Sequence, residues 1–387
     1  MKNFIYLQKN DISLSLCHPD IIKKMSRAFR IKPSLRLEVQ RKAYENMKET
    51  AFQNNGTIFG GFVRDHIISE HYTSLFNEEN PAHQDNIDKF WDKTFSPSTR
   101  ARVLLPRDMD VVFRTMQEAN NFIETLRSFA EHKETSVVDV PPNNYGQYSP
   151  TIFSIRHVIV DIVIGEIPFV SSGMRICINA DVIVPKANIT MQPPFNNLDM
   201  LCNGFIMTKD GISFSKNTGT IIDHYSTYKK AKVVAGIMDD LVNFKTYLCF
   251  TRRNKNPNSL DAINLNIMSF KRIEKMMKKT GVSWSFINLP FNIESCSEAD
   301  SESENCCICL MEFLRDSKLA CSKNKDTKGE EISSAKMHLK CFMQYLRRQM
   351  RWDSRNYDDA GRVIFKCPYR NIIDFALCQL DIENAYV

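Results

Sequence analysis

The stretch Pro106-Arg107-Asp108-Met109-Asp110-Val111-Val112-Phe113 sets two carboxylates two residues apart inside an apolar run. Successive side chains of a strand point to opposite faces, so Asp108 and Asp110 project to one side while Met109, Val111 and Phe113 face a core. Like charges held side by side repel, and stability alone gives little reason to keep them. A positive species between them resolves the conflict. An isolated Asp-x-Asp also occurs on solvated edges and turns, so the pair needs company before it means more.

Two further stretches supply it. Gly60-Gly61 follows a short strand, Thr57-Ile58-Phe59, and precedes a helix over residues 62–69. Glycine admits positive φ and close backbone approach, and a helix opening just after it aims free N–H groups at an anion. A lone Gly-Gly is more often a plain turn. In His157-Val158-Ile159-Val160-Asp161-Ile162-Val163-Ile164 an aspartate interrupts an apolar strand, where an unpaired carboxylate is costly to bury. Metal ligand, general base and ion-paired core aspartate are the readings open to Asp161. A glycine turn, a carboxylate pair and a third carboxylate can together hold a triphosphate and two divalent cations. Asp199, in Asn197-Leu198-Asp199-Met200-Leu201, ranks second to Asp161 for the third position.

The rest of the front half alternates between helical and strand periods, which predicts a mixed α and β domain. Helices are expected over 35–54 and 115–132, and a strand over 153–164. Residues from Glu70 to about Arg102 read as an insertion or loop. From Asp223 to Lys279 the chain turns helical and basic, with Lys229, Lys230, Lys232, Arg252, Arg253 and Lys255 among the cations. Arg252, Arg253 and Lys255 are the most compact candidates for phosphate contacts, with a solvated helix face as the alternative. The net charge of +6 agrees with a polyanionic partner without demanding one.

Eight of the twelve cysteines lie beyond residue 295, after an acidic, serine-rich stretch, 294–305, that reads as a solvated linker. Crowded cysteines in a reducing compartment point to metal rather than disulfides. Cys306 and Cys309 have the C-x2-C spacing of a turn presenting two thiolates to one zinc, and His338 and Cys341 follow at H-x2-C spacing. One tetrahedral set is Cys306, Cys309, His338 and Cys341. Buried free thiols are the remaining option. No apolar run reaches the roughly 18 residues of a spanning helix, and no signal peptide is apparent, so a cytoplasmic protein without membrane contact is expected.

Gly-Gly-x-Val-Arg-Asp followed by Pro-x-Asp-x-Asp-Val resembles the head domain of the DNA polymerase β superfamily of nucleotidyltransferases, nearest the CCA-adding and poly(A) polymerase branch. The likeness covers about residues 45–170. It implies Gly60 and Gly61 at the triphosphate, Arg64 and Asp65 shaping the nucleotide pocket, Asp108 and Asp110 binding two Mg²⁺ or Mn²⁺ ions, and Asp161 completing the second metal site. It further implies transfer of a nucleoside monophosphate from an NTP to a nucleic-acid 3′ end, with template-independent RNA tailing such as polyadenylation preferred. The long interval between Gly61 and Asp108 departs from the compact bacterial pattern. Cys-x-Ile-Cys-Leu, His-x2-Cys and Cys-Pro in order resemble a RING finger lacking ligands at Lys336, Gln344 and Arg370. That likeness implies one or two Zn²⁺ and a protein partner, and its topology would set His338 with Cys367, Cys321 being a further candidate, in a second site instead of with Cys306 and Cys309. The pairing of domains is similar to nucleotidyltransferases of large cytoplasmic DNA viruses.

The expected architecture is therefore α+β: a mixed-sheet nucleotidyltransferase core within 1–222, a helical basic region over 223–293, the linker at 294–305 and a small zinc-binding domain over 306–387. The competing expectation is a RING-type ubiquitin ligase or adaptor whose front half is not catalytic.

Overall fold

The computed structural model describes residues 33–79, 108–128, 135–140, 151–164, 174–189, 192–194, 198–216, 225–249, 273, 276, 284–289, 291–296, 305–314, 317–322, 324–325, 331–332, 336–349, 356–357, 363–366, 368, 372–373 and 382–387. Arg252, Arg253, Lys255 and Cys367, the 80–102 part of the expected insertion and residues 297–304 lie outside them.

The chain is a mixed α and β protein built on a seven-stranded mixed sheet. Strand β1 (Thr57–Phe59) sits near its middle, between β2 (Asp108–Val112) and β6 (Phe205–Thr208). Beyond β2 lie β5 (Met174–Pro185), β4 (Ile152–Ile164) and the edge strand β3 (Thr135–Val140), and β7 (Gly211–Phe214) closes the other edge. Only the β2–β5 pairing is parallel in this sheet.

Helices α1 (Pro33–Gln53), α2 (Gly61–Glu79), α3 (Met116–Ser128) and α4 (Thr227–Val242) share one hydrophobic cluster with one face of the sheet. From the helices come Met47, Val63, Phe122 and Ile237; from the strands come Ile58, Met109, Val111, Ala180, Val182 and Val158, all essentially buried. Each large apolar side chain removed from water contributes about 1.5–3 kcal/mol. The alternation in β2 places Met109 and Val111 in this core, so Asp108 and Asp110 must face the other way. That opposite face carries a second, smaller apolar group of Phe59, Val112, Ile152, Ile155, Ile183 and Ile206, beside a polar row.

Helix α2 runs ten residues further than the sequence suggested, through the start of the expected insertion, because Ile67, Ile68 and Tyr72 keep a buried stripe turning at helical spacing. Tyr72 stacks on Phe244 with ring centroids 5.8 Å apart and donates its hydroxyl to Val242 O at 2.7 Å, which ties the helix to the end of α4. After α4 the chain forms a short parallel pair, β8 (Lys245–Thr246) with β9 (Ser285–Phe286).

Strand β10 (Phe291–Ser295) pairs along its whole length with β11 (Lys318–Ser322), which pairs in turn with β14 (Lys336–His338). Between them lies a small hairpin of β12 (Asn324–Lys325) and β13 (Glu331–Ile332). The expected linker boundary at Glu294 is therefore corrected: Glu294 and Ser295 belong to the C-terminal sheet, and Cys296 is buried with its N–H on Ser317 O. Acidic composition was a poor guide there because β10 is held by Phe291 and its ladder bonds rather than by its exposed carboxylate. Helix α5 (Leu339–Gln349) follows β14 directly and buries Phe342, Met343 and Leu346. Three short strands, β15 (Asn356–Tyr357), β16 (Val363–Lys366) and β17 (Ile372–Ile373), form another small sheet. Helix α6 (Ile382–Tyr386) returns to α4, where Tyr386 donates to Asp240 Oδ2 at 2.6 Å and its ring occupies the space above Gly236.

Candidate active site and metal centre

Register fixes the polar row. Asp108 is the Cα partner of Asn179 and Asp110 of Asp181, both on β5; Asp181 is opposite His157 and Cys177 opposite Asp161, on β4. Directly opposed residues share a face. Asp108, Asp110, Asn179, Asp181, His157 and Asp161 therefore all project from the side of the sheet away from the four helices. Asp108 is exposed, while Asp110, Asp181, His157 and Asp161 are half-buried.

Gly60 adopts φ +73°, and a Cβ added to it would lie 3.1 Å from Asp110 Oδ2. The glycine turn and the first carboxylate pair thus meet in space. Helix α2 begins at the next residue, with Arg64 N donating to Gly60 O, so its first N–H groups open beside Asp110. A helix N-terminus favours negative charge.

Asp161 shares the face but sits two strands from β2, with β5 between, and accepts the Cys177 thiol at 2.6 Å. Asp181 is the carboxylate beside Asp110, and its Oδ1 lies 2.7 Å from His157 Nδ1. Sequence reading missed it because β5 itself was not recognised. The signal was present: Cys177, Asn179, Asp181 and Ile183 alternate with the buried Ile178, Ala180, Val182 and Val184. Asp199 is no substitute on this face. It precedes a single 3-10 turn, Leu201–Asn203, and its Oδ1 accepts Met200 N–H and Asn203 Nδ2 at 2.9 and 3.1 Å.

Arg64 and Asp65 turn inward. Arg64 Nε and Nη2 donate to Asp65 Oδ1 at 2.8 and 2.6 Å, Nη1 reaches Asn203 Oδ1 at 3.1 Å and Met276 Sδ at 3.2 Å, and the guanidinium lies 6.0 Å from the Trp284 ring centre. Burial by itself would lower the Arg64 pKa, but the Asp65 carboxylate, with Cys202 and Asp199 adding to it, holds Arg64 above its ordinary value. Adjacent helix positions do not face one another, yet the long Arg64 side chain folds back and makes the contact. Both side chains are enclosed, so they brace α2 against the turn before β6 and against Met276 and Trp284 instead of lining the open face. Lys229 and Lys232 are exposed on the first half of α4, beside the exposed Tyr228.

The second cluster belongs to the C-terminal sheet. Asn305 and Glu312 bridge across a tight turn in which Leu310 N donates to Cys306 O, and Leu310 takes φ +60°. The turn presents Cys306 and Cys309. His338 ends β14 and Cys341 lies in the first turn of α5. Ligand atoms of Cys306, Cys309, His338 and Cys341 all lie within 4.8 Å of one another, with His338 Nδ1 3.4 Å from Cys309 Sγ and 4.0 Å from Cys341 Sγ. His338 N–H points at Cys306 Sγ at 3.4 Å, and Phe313 meets the imidazole edge-on at 5.0 Å. Burial and the neighbouring thiols push the Cys341 thiol up to about 12, a crowding of acidic groups that a divalent cation would relieve. This Cys₃His group can bind zinc. Among the described residues it is the one group of three or more Cys, His, Asp or Glu whose ligand atoms come so close.

No helix among the described residues is long and apolar enough to cross a membrane. The chain matches no protein-family model, no curated protein and no solved structure.

Proposed function

We propose that the front half is a metal-dependent nucleotidyltransferase of the polymerase β type, adding a nucleoside monophosphate from an NTP to the 3′ end of an RNA. The observation that carries this reading is the meeting of Gly60, at positive φ, with Asp110, on a strand whose Asp108 shares its face. In this assignment Gly60, Gly61 and the first turn of α2 receive the triphosphate through backbone N–H groups. Asp108 and Asp110 hold Mg²⁺ or Mn²⁺. Mg²⁺ sites commonly use one or two carboxylates and take the remaining ligands from substrate phosphates and water, so two neighbouring carboxylates suit the role. The bound cations would lower the pKa of the attacking hydroxyl and neutralise charge on the leaving pyrophosphate.

For the third carboxylate, Asp181 is favoured over Asp161, because it opposes Asp110 directly whereas Asp161 is one strand further away. Asp181 would then take up the proton of the 3′ hydroxyl or orient it. Each labelled NTP in turn, with Mg²⁺ or Mn²⁺ and a short RNA, tests the proposal. Extension should require Asp108 and Asp110 and should fall further with Asp181→Ala than with Asp161→Ala. Extension that survives Asp108→Ala and Asp110→Ala rejects the reading.

A second reading concerns the C-terminal unit alone. Leu310, Met311 and Leu314 are exposed at 75%, 66% and 75% on and after the cysteine turn, an apolar display suited to a protein partner and in keeping with a RING-like adaptor or ligase. Ubiquitin transfer that depends on Cys306 and Cys309 would favour it.

A further inference from the structure

We propose that Cys306, Cys309, His338 and Cys341 bind a single Zn²⁺ as one closed structural site, with His338 in the same coordination sphere as Cys306 and Cys309. This assignment is independent of the nucleotidyltransferase reading. It chooses between two pairings that spacing leaves open, and it departs from the cross-braced order in which the histidine would join Cys367.

Geometry decides the pairing. Tetrahedral zinc with bonds of about 2.3 Å to sulfur and 2.0–2.1 Å to nitrogen needs its ligand atoms roughly 3.4–3.8 Å apart. His338 Nδ1 at 3.4 Å from Cys309 Sγ and 4.0 Å from Cys341 Sγ falls around that range before any metal draws the group together. The strand pairing reinforces it: His338 is opposite Leu319, which is fully buried, so the imidazole position is set by the β11–β14 ladder rather than by the metal alone. Cys321, the other cysteine considered for a second site, is opposite Lys336 on the same ladder and is buried in the hydrophobic cluster, outside the converging group.

The chemistry follows from the ligand set. Three thiolates and an imidazole suit Zn²⁺, and four protein ligands fill a tetrahedron without leaving a position for water or substrate. The site is therefore structural. The His338 N–H directed at Cys306 Sγ is the kind of outer contact that stabilises a metal-bound thiolate. One ion would fasten two segments distant in sequence: the turn at Cys306–Cys309 and the junction where β14 passes directly into α5. These segments are joined otherwise through a modest set of apolar contacts around Phe313, Leu319 and Phe342.

The test counts metal on the full chain. Zinc content measured by plasma mass spectrometry should drop by one equivalent in Cys306→Ser and by one in His338→Ala, and the double variant should lose that same one equivalent. Cys307→Ser, whose thiol stands outside the group, should retain it. A loss of two equivalents in the double variant would mean that His338 serves a different ion and would overturn the assignment, as would a full chain without stoichiometric zinc. If the substituted chains do not fold, Co²⁺ exchanged into the unsubstituted chain decides. Tetrahedral d–d bands with charge transfer from three thiolates and one imidazole support the site, and a four-thiolate or octahedral spectrum sinks it.

Discussion

Gly60 meets Asp110 at the mouth of the open face: a side chain on the glycine would begin 3.1 Å from Asp110 Oδ2, and the glycine backbone is already left-handed at φ +73°. Gly60→Ala therefore meets two penalties. The backbone conformation costs about 1–2 kcal/mol for an L residue, and the new methyl crowds the carboxylate. The proposed transfer activity should fall by about a hundredfold, the order expected of a displacement near 1 Å at a reacting centre, while the urea midpoint shifts only modestly. Steady-state rates and equilibrium unfolding on the same preparation check it; unchanged activity would separate the glycine from the chemistry.

His157 holds Asp181 by a 2.7 Å contact on the neighbouring strand. If it positions that carboxylate, His157→Leu should raise the Mn²⁺ concentration needed for half-maximal binding, measured by electron paramagnetic resonance on the full chain. His157→Asn, which keeps a donor near the Nδ1 position, should restore most of it. A merely structural histidine would leave Mn²⁺ binding unaltered in both.

Arg64 and Asp65 form a buried pair with side chains only 7% and 1% exposed. Removing one partner strands the other charge inside, a loss of about 3–5 kcal/mol. Asp65→Ala should lower the urea midpoint accordingly, and Arg64→Met with Asp65→Leu should recover part of the loss because an apolar pair needs no counter-charge. A double variant as unstable as Asp65→Ala would count against this account.

Stability should decline in alkali. Burial pushes the Cys202 thiol from 9.0 up to about 11, against the opposing pull of Arg64, and burial likewise raises Cys249. The protonated thiol is favoured in the folded chain, so its contribution is complete below about pH 9. It is lost as pH rises from there through about 11, where the unfolded chain ionises and the folded one resists. The Cys202 share is about 2–3 kcal/mol. Urea midpoints between pH 8 and 11 should fall, and Cys202→Ala should flatten the slope; an equal slope in the variant would refute the attribution.

Legibility followed the strength of local periodicity. The helices around Met47 and Phe122 and the strand carrying Asp108 and Asp110 could be read because a burial face repeats at 3.6 or 2 residues within one segment. The end of α2 and the whole of β5 escaped. In the first, polar residues after Tyr72 masked a helix that tertiary contacts sustain; in the second, small and polar residues at Asn179 and Ala180 diluted an alternating strand. Losing β5 concealed Asp181, the neighbour that Asp110 has across the ladder. The linker was misplaced because composition reports solvation and is silent about pairing, and β10 is held by its partner β11.

By itself the sequence determined which side chains share a face of a strand and which cysteines share a turn, since both are matters of two or three residues' distance along the backbone. The tertiary structure alone decided which strand lies beside which: that Asp181 rather than Asp161 stands next to Asp110, that Arg64 points into the interior, and that His338 completes the group begun by Cys306 and Cys309. Neighbourhood between distant segments is set by the shared burial of their apolar faces, a property of the whole core that no single segment encodes.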